Sequence, residues 1–135
     1  MKTTKKFIIV ILMMIFSVSL FDSCQKEIED PVTQNITYLL MNTSSELSSL
    51  ECYITIADPA YANHVVYHLD SLNFWQYPIV ANNGYPCYFN VYSKDETSQF
   101  VIYIKQNDSV VGLASAATVP HQNIKQAELS HYVTR

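Results

Sequence analysis

The sequence is poor in the residues that build phosphate-binding and nucleic-acid-binding sites. Its 135 residues include only two glycines, Gly84 and Gly112, which excludes a glycine-rich phosphate-binding loop. Only 8 residues are lysine or arginine, and beyond Cys24 the acidic residues outnumber the basic ones eleven to five. Because affinity for nucleic acid comes mainly from basic contacts to phosphate, we expect no nucleic-acid partner.

The motifs of common catalytic sites are also missing. The sequence contains no Gly-x-Ser-x-Gly, no His-Glu-x-x-His and no Cys-x-x-Cys. Its carboxylates are scattered, so they do not indicate a facing pair of the glycosidase kind. His64 and His68 would lie about 13 Å apart on one strand, which is too far to bind a single metal ion. We therefore interpret these two histidines, with His121 and His131, as surface residues, and expect no enzyme, cofactor or metal site.

The N-terminus has the layout of an export signal. Lys2, Lys5 and Lys6 precede an apolar run from Phe7 to Phe21. This run of about 15 residues is shorter than the roughly 20 that a membrane-spanning helix needs. It is typical of a helical signal peptide, which we predict over residues 1–23.

Ser23 and Cys24 end this segment and resemble the lipobox of Bacteroidetes-type lipoproteins. In that family a small residue precedes the cysteine, and the cysteine is acylated after cleavage. Asp22 departs from the small or aliphatic residue usual at its position, and Phe21 replaces the usual leucine. The resemblance implies that acyl chains on Cys24 anchor the protein in the outer membrane, facing either the cell surface or the periplasm. The lysine and acidic residues that follow Cys24 resemble a surface-export signal.

The remainder divides into a tether and one domain. Residues 24–34 are polar and acidic and include Pro31, which predicts a flexible tether. Residues 35–135 alternate apolar and polar side chains with a period of two and are rich in Tyr, Val, Ile and Thr. The faces that we expect to be inward include Ile36, Tyr38 and Leu40; Leu50, Cys52, Ile54 and Ile56; Cys87, Phe89 and Val91; and Phe100, Ile102 and Ile104.

This pattern predicts an all-β domain of seven or eight short antiparallel strands. The architecture we expect is an immunoglobulin-like or transthyretin-like β-sandwich. Tight turns are predicted at Asn82–Gly84 and at Asn107-Asp108, because these residue types tolerate the left-handed conformation. Two helical alternatives stay open, a single turn at 43–46 and a helix at 123–131 in place of the last strand.

The second half of the chain also resembles a specific group of exported proteins. An aromatic segment ending in proline (Phe74–Pro78) precedes a turn, an aromatic strand with Tyr88 and Phe89, a hairpin around Asn107-Asp108, and Ala-Ser-Ala at 114–116. This order resembles the MmpS-like lipoproteins of Bacteroidetes, although the glycine usual in the last hairpin is absent. The resemblance implies a β-sandwich that acts as an accessory to a membrane transporter.

Cys52 and Cys87 permit two interpretations. Both are expected on inward faces of different strands in an exported protein, where disulfides persist. A bridge would close a loop of about 35 residues and contribute roughly 3–4 kcal/mol. The alternative is two buried free thiols that act as small hydrophobic side chains.

Aromatic residues are the one compositional excess, with 10 Tyr, 6 Phe and 1 Trp. Phe74, Trp75 and Tyr77 form a cluster in sequence that either joins the core or provides a stacking surface for a glycan or a partner protein. An outward row of Tyr53, Tyr88, Tyr92 and Tyr103 is also expected to mark an interaction surface.

Together these features favour a non-catalytic, lipid-anchored module of the cell envelope that serves as an accessory or interaction module through a sheet face or edge. The alternative is a module that binds a small molecule or a glycan through Phe74, Trp75 and Tyr77. In either case the membrane is contacted through the acyl chains on Cys24.

Overall fold

The computed structural model describes residues 31–44, 50–62 and 64–135, and for residues 71 and 72 the backbone alone. The predicted signal peptide, Cys24 and the tether up to Asp30 lie outside the described residues, as does the end of the 43–46 turn. Within the described part, no helix has the length and apolarity needed to cross a membrane. Residues Pro31–Arg135 form one compact unit.

Within the described residues, nine strands, rather than the predicted seven or eight, form two antiparallel sheets that pack into a β-sandwich. This confirms the all-β prediction. The strands are β1 (Thr33–Asn42), β2 (Leu50–Ile56), β3 (Val65–Leu72), β4 (Phe74–Asn82), β5 (Pro86–Ser93), β6 (Phe100–Gln106), β7 (Ser109–Ser115), β8 (Ala117–Val119) and β9 (Ile124–Tyr132). One sheet has the order β4-β1-β6-β7, and the other has the order β3-β2-β5-β9-β8.

Several strands differ from the sequence-based prediction. β1 begins at Thr33, so the last two residues of the segment predicted as a tether belong to the sheet. One strand was expected over 110–117, but it breaks at Ala116, where the chain passes from the four-stranded to the five-stranded sheet. The expected short strand at 78–80 is longer, because β4 already begins at Phe74. Pro78 is tolerated in it because β4 is an edge strand. The helical alternative over 123–131 is wrong, since Ile124–Tyr132 forms β9 along the full length of β5.

The inner faces of both sheets supply the core, as the alternation predicts. β2 and β6 bury every second residue. The largest fully buried side chains are Tyr38, Phe89, Phe100, Ile36, Leu40, Ile54, Ile56, Ile102, Ile104, Val91, Val133 and Cys52. Burying a side chain of this size stabilises the fold by about 1.5–3 kcal/mol relative to exposure.

Both predicted turns adopt the left-handed backbone conformation. Asn107 and Asp108 have φ values of 47° and 67° in the two-residue hairpin between β6 and β7, and Gly84 has a φ of 83° between β4 and β5. Asn107 also holds this hairpin against β1, because its backbone N–H donates to the carbonyl of Asn35 at 2.8 Å and its Oδ1 accepts from the N–H of Asn35 at 3.1 Å.

Candidate functional site

The predicted aromatic cluster is divided between two faces of β4. Phe74 points outward and is 52% exposed, whereas Trp75 and Tyr77 are partly buried and pack against the core. The division follows from the two-residue period of a strand, which sends neighbouring side chains to opposite faces. Phe74, Trp75 and Tyr77 therefore do not form one stacking surface.

Trp75 and Tyr77 instead cover the side of the sandwich where β3 and β4 form the sheet edges. Their rings stack with centroids 5.9 Å apart, and Tyr67 of β3 lies 5.8 Å from each of them. Trp75 also reaches Phe89 in the core, at 6.0 Å. This inward aromatic cluster joins the two sheets. Of the two predicted alternatives, Trp75 and Tyr77 therefore follow the first and pack with the core.

The outward face of the four-stranded sheet carries a group of apolar side chains and almost no charge. Residues paired directly across neighbouring strands share a face: Met41 lies opposite Phe74 and Val101, and Tyr103 lies opposite Leu39 and Leu113. We define the apolar face as Leu39, Met41, Phe74, Val80, Val101, Tyr103 and Leu113. Lys105 is the only charged side chain at the outward positions of these four strands, all of which are described.

The outward face of the five-stranded sheet is different, because it carries charges and a ladder of stacked rings. The Tyr53 ring stacks on His68 at 4.5 Å and on Tyr92 at 4.8 Å, so that the ladder crosses β3, β2 and β5. Lys94 Nζ lies 5.3 Å from the centre of the Tyr53 ring. The predicted outward row is thus divided, with Tyr103 on the opposite sheet.

A cleft of about 540 Å³ lies at one end of the sandwich. It is bounded by the segment after β2, the start of β5 and the end of β9. Its tyrosines are Tyr61, Tyr85, Tyr88 and Tyr132, and its polar side chains include Asp58, His64, Ser130 and His131. Aromatic rings beside hydrogen-bonding groups are what a small polar ligand requires, and the volume is within the usual range of ligand sites.

Asp58 is held in a fixed position at the inner wall of the cleft. It is only 6% exposed, and its two oxygens accept hydrogen bonds from the Tyr77 hydroxyl at 2.7 Å and from the N–H of Ala60 at 2.9 Å. The bond to Asp58 raises the pKa of Tyr77 well above its ordinary value, because it stabilises the protonated phenol. The inward aromatic cluster thereby fixes a wall of the cleft.

Cys52 and Cys87 are both buried and form no disulfide, so the structure has the alternative of two buried free thiols. The two cysteines are on neighbouring strands of one sheet, but β2 pairs with β5 through Tyr53–Tyr92 and Ile56–Phe89. This register displaces Cys52 from Cys87 by about 20 Å along the strands, whereas a bridge needs Cα atoms within about 7 Å. Burial raises the pKa of Cys52 to about 12, so its thiol is not a nucleophile at neutral pH.

The sequence predicts no metal site from its histidines, because His64 and His68 lie too far apart on one strand to bind a single ion. In the structure His68 has carboxylate neighbours, since its Nε2 lies 3.0 Å from Glu51 and 3.4 Å from Asp70. The sequence shows that His68 and Asp70 are two residues apart, and they share a face because β3 extends from Val65 to Leu72. Glu51 is on another strand and could be placed beside them only by the register.

No protein-family model matches the chain, and no curated protein is similar enough to it to count as a relative. The lipoprotein and MmpS-like resemblances therefore stay predictions.

Proposed function

We propose that this protein is a lipid-anchored, non-catalytic module of the cell envelope that binds a partner protein through the apolar face. The observation that carries the proposal is the exposure of Phe74, Met41 and Leu113 on the outward face of one sheet. The anchor on Cys24 follows from the sequence pattern alone. An MmpS-like accessory role is one version of this function.

The composition of the apolar face favours a protein as its occupant. The centres of protein interfaces are depleted of charge and enriched in aromatic residues and methionine, and their rims are polar. The two inner strands of the apolar face carry Met41 and Tyr103, and its edge strand β4 carries Phe74. Uncharged Gln76 and Thr37, and Lys105, lie beside these side chains. A partner with an apolar surface and an acidic residue opposite Lys105 would fit it.

The test is photocrosslinking of the full-length chain in the cells that produce it. A photoreactive residue at Leu113 is compared with one at Glu128, which is exposed on the opposite sheet. The expected result is a discrete adduct with one identifiable envelope protein from position 113 alone. The adduct should disappear with Phe74→Glu and persist with Ser130→Glu, which adds the same charge to the opposite sheet.

Two results would overturn this proposal. Equal adducts from both positions, or none from position 113, would show that the apolar face is not a specific binding surface. An adduct of the chain with itself would show that the apolar face binds a second copy of this chain and not another envelope protein.

The cleft supports a second candidate, the binding of a glycan or another small polar molecule. Tyr61 and Tyr132 are exposed at its rim and offer rings on which a sugar can stack. In this second candidate the ligand binds in the cleft and not at Phe74, Trp75 and Tyr77, where the sequence predicted it. A glycan array probed with the full-length chain tests it, with Tyr132→Ala as the cleft variant and Phe74→Ala as the control. Binding that Tyr132→Ala leaves unchanged would exclude the cleft.

A further inference from the structure

Three metal-ligating side chains meet on the outward face of the five-stranded sheet, beside the edge strand β3. Nε2 of His68 lies 3.0 Å from Oε1 of Glu51 and 3.4 Å from Oδ1 of Asp70. One ligand atom from each residue lies within 4.8 Å of the other two. All three side chains are exposed, so ions in solution can reach them.

Two carboxylates lie beside each other on β2 and β3 at this point, each close to the His68 imidazole. β2 and β3 are antiparallel and pair Tyr53 with His68 and Cys52 with Leu69, so Glu51 lies next to Asp70 where the register shifts. Like charges that lie this close on neighbouring strands repel each other and weaken the pairing. A cation between them would remove this repulsion.

The imidazole is held in position for such a cation. The His68 ring lies nearly parallel to the Tyr53 ring, at an angle of 13°, and Tyr53 is itself stacked on Tyr92 at 9°. This ladder restricts the ring and aims Nε2 toward the carboxylates. A ligand on a regular strand, with its ring restrained, loses little conformational freedom when it binds a metal.

We propose that Glu51, His68 and Asp70 bind a divalent transition-metal ion of the Zn²⁺ type. One imidazole and two carboxylates suit Zn²⁺, whereas Ca²⁺ and Mg²⁺ prefer oxygen ligands alone. Bonds of 2.0–2.2 Å in a tetrahedron put neighbouring ligand atoms roughly 3.4 Å apart, close to the separations around Nε2. Water completes the coordination, because three protein ligands leave a tetrahedral position open.

The bound ion would join β3, an edge strand, to β2. It would therefore stabilise one side of the five-stranded sheet. The site is on the sheet opposite the apolar face, so its existence is independent of the proposed partner protein.

The test is a titration of the full-length chain, purified in detergent without a histidine tag, with Zn²⁺ by calorimetry and with Co²⁺ by visible absorption. We expect one saturable ion per chain and a Co²⁺ spectrum typical of nitrogen and oxygen ligands. His68→Gln and Glu51→Gln should each weaken binding at least tenfold. Both residues are exposed, so the variants should fold, and far-ultraviolet circular dichroism checks that they do.

Matched controls keep the test specific to this cluster. His121→Gln removes a histidine outside the cluster, and Glu128→Gln removes a carboxylate from the same sheet face, so both should leave the affinity unchanged. Binding that survives His68→Gln and Glu51→Gln, binding weakened equally by the controls, or no saturable binding up to millimolar Zn²⁺ would each overturn the proposal.

Discussion

The Tyr38 hydroxyl makes a hydrogen bond across the interior of the sandwich that one substitution can remove. Tyr38 is on β1 in the four-stranded sheet and is fully buried. Its hydroxyl donates to the carbonyl of Ala57, just after β2 of the other sheet, at 2.7 Å. Tyr38→Phe keeps the ring and its contact with Phe89, at 5.3 Å, and removes only the oxygen.

The expected cost of Tyr38→Phe is about 1–3 kcal/mol of unfolding free energy. The hydrogen bond itself contributes roughly 1 kcal/mol net, and the larger values apply when a buried partner is left unsatisfied. Ala57 is 8% exposed, so water has little access to its carbonyl. The ratio of folded to unfolded chain should therefore fall about 5-fold to 150-fold, since each 1.4 kcal/mol is a factor of ten.

The assay is denaturant-induced unfolding of the full-length chain at pH 7, followed by circular dichroism. The control is Tyr103→Phe, because Tyr103 is partly exposed on the outward face of β6, where water can reach it. We expect the control to change stability by less than about 0.5 kcal/mol. A Tyr38→Phe variant as stable as the control would refute the argument that this hydrogen bond joins the sheets.

The same hydroxyl gives the prediction a pH dependence. Burial, followed by the neighbouring Cys87, raises the pKa of Tyr38 well above the ordinary value of 10.0. Above pH 10 the unfolded chain loses this proton while the folded chain keeps it, so the wild type loses stability as the pH rises. Tyr38→Phe lacks this contribution, and the stability difference between the two proteins should narrow between pH 9 and roughly pH 11.

Three further predictions concern the core, the thiols and the anchor. Phe89→Ala should cost about 3–5 kcal/mol of unfolding free energy, because Phe89 is fully buried. Phe74→Ala, on the apolar face, should cost less than about 1 kcal/mol, and chemical denaturation measures both values. Cys52 and Cys87 should resist a thiol reagent in the folded protein and both react in guanidinium, whereas a disulfide would leave them unreactive in each condition. Metabolic labelling with an alkyne fatty acid should mark the wild type and not Cys24→Ser, and label retained in the variant would contradict acylation of Cys24.

The fold class could be predicted because one property, the two-residue alternation, is local. In β2, Cys52, Ile54 and Ile56 are buried, whereas Glu51, which lies between two inward positions, is exposed. Both features follow from the alternation within β2 and can be predicted without knowing its neighbouring strands. The turn at Asn107-Asp108 was equally local, because its residue types permit a positive φ. The break at Ala116 was not predictable, since a strand that changes sheets keeps its alternation.

The sites depended on register, which the alternation does not contain. Cys52 and Cys87 were both correctly placed inward, but whether they meet depends on how β2 slides along β5, and the observed register keeps them apart. Phe74 and Trp75 were treated as one cluster from their proximity in sequence, although adjacent strand residues face opposite ways. In each case the residue's own face was predictable and its neighbour across the sheet was not.

The same distinction explains why the two outward faces differ in composition. The alternation along a strand predicts that a residue points outward, but it does not show to which of the two sheets the strand belongs. Tyr53 and Tyr103 are therefore equivalent in sequence. The topology sends Tyr103 to a sheet whose outward positions include Lys105 as their only charge, and Tyr53 to a sheet that carries Glu51, Asp70 and Lys94 nearby. An apolar partner can therefore be accommodated on the first face without burying carboxylates, while the second keeps its carboxylates available for a cation. A charge introduced at Leu113 should consequently disturb partner binding and leave metal affinity unchanged, and the loss of His68 should do the reverse.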